Sequence, residues 1–209
     1  MKLSIAEGLY LIALDDEEGR LLAAAEKTII PGLLSAAVLE MYIQKKISLD
    51  GGHIQVVDSS GTGNGVLDKI LQKLRSGTEI VEQVQELEHH FKDIMTDLNQ
   101  LLGQRGILQK EETKLLWIPL SERMDNANYA FEEEIRNNLK AMVFKSAKPS
   151  PSFAVLMSLI YDCNILEEVF PDRDDLVDAV KVAKDMPDSP ALDESLSNAL
   201  MTLKGHFGK

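Results

Sequence analysis

Residues 33–43, Leu-Leu-Ser-Ala-Ala-Val-Leu-Glu-Met-Tyr-Ile, are apolar almost all the way round a helical projection. A helix with no polar face must be covered on every side, so the rest of the chain has to be packed around it. Pro31 suits the first turn of such a helix, and Lys45 and Lys46 suit its negative C-terminal end. At 209 residues the chain is long enough to supply that cover within one compact domain spanning 1–209.

The remaining signals are mostly helical. Ser4 and Glu7 have the spacing of a capping box ahead of the apolar residues 9–14, and the acidic run to Gly19 stops that helix in a turn. Residues 47–57 read as a β-hairpin turned by Asp50-Gly51-Gly52. A loop over 58–65 leads into a short helix at 66–75. Ile80, Val84, Leu87, Phe91, Ile94, Leu98 and Leu101 step by fours and threes, predicting one long helix over 80–102 with Gly103 at its cap. A second hairpin is read over 106–120, with the polar residues 109–113 between apolar arms. Helices follow over 126–144, 153–170, 174–184 and 192–203. The expected class is all-α with two short hairpins.

Several functions are disfavoured at this level. The formal charge is −12, and residues 151–200 hold eleven acids against three bases, so 3 − 11 = −8 of it lies there. That balance opposes nucleic acid, including contact through a winged helix, and opposes general attraction to an anionic membrane. Any anion-binding face should come from the first 150 residues. No apolar run reaches the roughly 18 to 20 residues that span a bilayer. An acid at position 7 breaks the apolar segment of a signal peptide, so the expectation is an intracellular protein.

Candidate chemistry is sparse. Gly61-Thr-Gly-Asn-Gly65 lacks the spacing and the following lysine of a phosphate loop, and reads as a turn into the next helix. Glu86 and His90, or His89 and Asp93, could share helix faces toward a metal. Without a third ligand they read as a solvated face, and no metal is expected. The single cysteine, Cys163, lies in an apolar helix and reads as core. Nothing gathers into a catalytic set, so no enzyme activity and no cofactor are expected. One feature stands open: Leu115, Leu116 and Trp117. They can pack on the core, or form an exposed tip used for association or shallow membrane contact.

The order of motifs then resembles one family. Residues 9–19, Gly32-Leu-Leu-Ser-Ala-Ala-Val-Leu-Glu40, Lys45-Lys-Ile-Ser-Leu49, Thr62-Gly-Asn-Gly-Val-Leu-Asp68, Leu102-Gly-Gln-Arg-Gly-Ile-Leu108 and the Leu-Leu-Trp hairpin follow the Golgi phosphoprotein 3 family. Its shorter prokaryotic members are the nearest in kind. The resemblance covers nearly the whole chain, most clearly residues 3 to 120. It implies a helical, non-enzymatic adaptor, cytoplasmic and peripheral on the cytosolic face of a membrane. Eukaryotic members bind phosphatidylinositol 4-phosphate and hold cytosolic tails of glycosyltransferases. Their headgroup pocket uses a tryptophan, an arginine and two bases one turn apart. The matching positions here are Ala25, Leu34, Lys92 and Met95. Only Lys92 keeps the chemistry, so weak or absent headgroup affinity is expected, and the alternative reading is a cytosolic protein-interaction module without lipid binding. The matching hairpin mediates oligomerisation in the family. The partners implied are therefore a phosphoinositide or anionic membrane surface, protein tails, and a second copy met through the 106–120 hairpin, with Leu115, Leu116 and Trp117 as its tip.

Overall fold

A computed structural model describes residues 3–15, 19–115, 118–126, 129–144 and 148–207. Among them, α1 (Ile5–Ile12) and α2 (Ile29–Ile43) lead into the hairpin β1 (Ile47–Asp50) and β2 (His53–Val56). Next come α3 (Gly65–Leu71), α4 (Ile80–His90) and α5 (Ile94–Gln104), then the hairpin β3 (Leu108–Leu115) and β4 (Ile118–Asn126). The helices α6 (Tyr129–Val143), α7 (Pro151–Asp162), α8 (Leu166–Val169), α9 (Arg173–Asp185) and α10 (Glu194–Lys204) complete the chain. The class is helical with two antiparallel hairpins, as the patterning predicts, the second of them longer than expected.

Helix α2 is the axis of the fold. Residues Leu33 to Leu39 are all at 0% exposure, and α1, α4, α7 and α10 close around them. Gly32 permits the closest of these approaches. A Cβ at that position would lie 2.6 Å from Cys163 Sγ, so only glycine lets the end of α7 come this near. The hydroxyl of Thr28 donates to the Cys163 carbonyl at 3.2 Å across the same contact.

The capping box at α1 is present in full. Ser4 N donates to Glu7 Oε2 at 2.6 Å, and Glu7 N donates to Ser4 Oγ at 3.2 Å. Glu40 of α2 accepts from Ile5 N at 3.0 Å, so two carboxylates satisfy amides that the helix itself leaves unpaired. The first hairpin turns at Gly51 and Gly52, both with positive φ, between the paired Asp50 and His53. That is the turn which glycine makes inexpensive.

Five expectations are corrected. The helix foreseen over 80–102 is two helices, broken at residues 91–93. A 3.5-residue apolar repeat drifts by about 20° per heptad against the 3.6-residue helix. Over the three heptads from Ile80 to Leu101 the drift is about 60°, which carries Leu101 toward the edge of the buried face. The break resets the phase, so that Ile94, Leu98 and Leu102 are buried while Leu101 stays half-exposed. Gly103 is not the cap. Helix α5 ends on Arg105, and Gly106 (φ 67°) takes the left-handed position, with Ile107 N donating to Leu102 O and Gly106 N to Gly103 O.

The helix foreseen over 153–170 divides into α7 and α8. Asn164 (φ 61°) supplies the same C-terminal motif, Ile165 N donating to Ile160 O, which turns the chain away. In the second hairpin the polar residues 109–113 are strand, not turn. They contain no glycine, proline or asparagine to reverse the chain. The strands run on to Asn126, the Leu115↔Ile118 pair closes them, and α6 starts only at Tyr129.

Candidate functional site

Lys92 sits exposed in the break between α4 and α5, followed by the exposed Asp93. Met95 is half-buried at the start of α5, whereas Ala25 and Leu34 are wholly inside at 0% exposure. The structure does not join these four positions into a polar cradle. One ammonium on an exposed turn offers a single charge, and a doubly charged phosphate is held by several converging donors.

A groove of about 820 Å³ runs along α4 on the N-terminal side of Lys92 in sequence. Lys73, Arg75, His89 and His90 are on its walls, with Glu82 and Glu86 among them. Arg75 is ion-paired to Glu86, and Gln83 Oε1 accepts from Arg75 N at 2.7 Å. Two fixed bases meet two acids, so the groove carries no net charge while its histidines are neutral. Glu86 is thereby committed to Arg75. The glycine loop is occupied in a similar way, by the chain's own Asp68: Thr62 N and Thr62 Oγ1 donate to its Oδ1 at 2.6 and 2.7 Å. An anion would have to displace that carboxylate.

The hairpin β3–β4 is the most distinct element. Strands of eight and nine residues reach about 26–30 Å at the usual rise. Strand β3 packs on α5. The register puts Glu111 opposite Arg123 and Leu115 opposite Ile118 at the closed end. Leu116 and Trp117 lie outside the described residues. Just ahead of the arm, Arg105 at the end of α5 donates from Nη1 to Glu7 Oε1 at 2.6 Å, tying the end of α5 to α1. The sequence reading missed this pair. Its signal was Glu7 itself, which the capping box explains before any second partner is sought.

The model for the Golgi phosphoprotein 3 family matches residues 5–203. The chain belongs to the Golgi phosphoprotein 3 family. Comparison with curated proteins returned no match.

In this Golgi phosphoprotein 3 family member, Cys163 is core, as its apolar surroundings in sequence predict. Cys163 is fully buried, and burial pushes its thiol up to about 12, far from the thiolate that nucleophilic chemistry needs. Its neighbour behaves differently. Asp162 ends α7 half-buried, and burial pushes its carboxyl up to about 6, partly opposed by Lys204. The negative end of α7 adds to the disfavour. A carboxyl raised in the folded state contributes stability that is whole below its ordinary value near 3.8 and is lost as pH rises through 6. Asp162→Asn is therefore expected to add about 2–3 kcal/mol at neutral pH and almost nothing at about pH 4. Urea midpoints of both forms at the two pH values test this. An equal gain at both would mean the carboxyl is not the cause.

Proposed function

We propose that this chain is a non-enzymatic adaptor of the Golgi phosphoprotein 3 type, peripheral at a membrane surface, that works through protein association more than headgroup capture. The observation that carries the reading is the β3–β4 arm, a long two-stranded hairpin whose closed end reads Leu115-Leu116-Trp117-Ile118. An isolated hairpin of two strands is marginal in water, and an apolar end favours a partner. Family membership supports the adaptor role. Its clients would be protein tails and a second copy of itself.

Headgroup affinity is the weaker half of the inheritance. Ala25, Leu34 and Met95 hold no charge, and the chain's −12 works against an anionic surface. Losing two arginine-type contacts, at roughly 1.5–3 kcal/mol each, reduces affinity by about a hundredfold or more. Titration of the soluble phosphatidylinositol 4-phosphate headgroup should give weak binding at best, barely changed by Lys92→Ala. Liposome sedimentation should depend little on the phosphoinositide. Tight binding abolished by Lys92→Ala would show a rebuilt pocket and overturn this half of the proposal.

A further inference from the structure

A second cavity lies away from Lys92 and from the arm, where the end of α2 meets β1, α7 and α10. It measures about 360 Å³, and Ile43, Ile47, Val57, Pro151, Ala191 and Leu196 form apolar walls. Val57 stands at the mouth of the cleft, 60% exposed.

The polar groups at this cleft are unequal. Asp193 is fully engaged: Tyr42 Oη donates to its two oxygens at 2.9 Å each, and Leu196 N donates to Oδ1 at 2.9 Å, capping α10. Lys45 and Ser48 also line the cleft, and among the described residues neither the ammonium nor the hydroxyl has a side-chain partner. Lys45 moreover stands at φ 60°, in the left-handed position that ends α2, with Lys46 N donating to Met41 O. Glycine is the favoured residue there, so lysine holds this position against a backbone preference. The cleft thus presents apolar walls, one cation and one hydroxyl without side-chain partners among the described residues, and one carboxylate whose oxygens are already taken by Tyr42 and the α10 cap.

We propose that this cleft binds a free single-chain amphiphile with an anionic head, such as a medium-chain carboxylate. Its chain would lie along Ile43, Ile47 and Leu196, and its carboxylate would meet Lys45 and Ser48. The size fits: at the ~30 Å³ that a water occupies, 360 Å³ accommodates on the order of twelve non-hydrogen atoms, as in decanoate. A cavity of this volume with mostly apolar lining and a few polar groups is the usual form of a small-molecule site. A cationic head would meet Lys45 unfavourably, and an uncharged one would forgo the charge-assisted bond.

Calorimetric titration with decanoate, decanol and decylammonium tests this on the full chain. Decanoate should bind saturably at one site, decanol more weakly and decylammonium not at all. Lys45→Gly should weaken decanoate at least about tenfold and leave decanol unchanged. That variant tests the fold as well, because glycine suits φ 60° and the thermal midpoint should hold or rise. Ala191→Phe, which fills the cleft, should abolish binding of both decanoate and decanol. Absence of saturable decanoate binding to the wild type would overturn the proposal. So would decanoate affinity that Lys45→Gly or Ala191→Phe leaves unchanged.

Discussion

Arg105→Met should lower stability by about 2–4 kcal/mol, a large loss for a side chain at the surface end of a helix. Glu7, its partner, has a side chain 1% exposed, and the contact between them is 2.6 Å. Removing one member of a buried pair leaves the other charge without compensation, typically at 3–5 kcal/mol. The Arg105 side chain is 35% exposed, so water can replace part of the contact, which moderates the figure. The remaining bond from Ser4 N keeps the α1 cap engaged but not neutralised. Adding Glu7→Gln to the same chain should recover much of the loss, because a neutral amide tolerates burial better than an unpaired carboxylate. The pair then shows a coupling of 1 kcal/mol or more in a double-mutant cycle, on the order typical of contacting residues. Urea midpoints at unchanged m-value measure it. A loss below about 1 kcal/mol, with no coupling, would place this contact among ordinary solvent-screened surface pairs.

The same contact shows why parts of this fold were legible and others were not. Features fixed by neighbours in sequence could be read directly: the Ser4–Glu7 capping box, the Gly51-Gly52 turn, and the all-round apolarity of α2. Each depends on residues within one short stretch of the sequence. The break at 91–93 could not be read this way, since no proline or glycine marks it. It follows from which of Leu101 and Leu102 faces the core, a matter settled by distant packing. Asn164 carried a weak signal for the end of α7, because asparagine tolerates positive φ, yet apolar residues on both sides suggested one continuous helix. The strands over 108–126 are rich in charge and do not alternate cleanly, so periodicity misplaced their turn. The headgroup positions are a mixed case. Their loss of charge is visible in the sequence, but only the fold shows Ala25 and Leu34 at 0% exposure. The cleft at Lys45 was not legible at all, for its walls come from residues 42 to 57, 151 and 191 to 196.

Trp117→Asp should reduce self-association and membrane recruitment together while leaving the helical body folded. The arm reaches about 26–30 Å and packs on α5, so the body does not depend on its closed end for the core around α2. A tryptophan brings roughly 150–250 Å² to a contact, and tryptophans are prominent among residues whose truncation costs an interface 2 kcal/mol or more. An aspartate in its place would also have to be desolvated. Association should therefore weaken by at least about thirtyfold. Trp117 is the single tryptophan of the chain, so its fluorescence reports on the arm alone. Wild-type emission should move to shorter wavelength as concentration rises over roughly two decades, in step with the mass from sedimentation. Leu115→Asp and Leu116→Asp should act in the same direction, and each variant should keep its far-UV spectrum. If Trp117→Asp retains the fold while oligomer size and liposome recruitment match the wild type, the arm is not the association element. If it unfolds the chain instead, Trp117 belongs to the core and the exposed-tip reading fails.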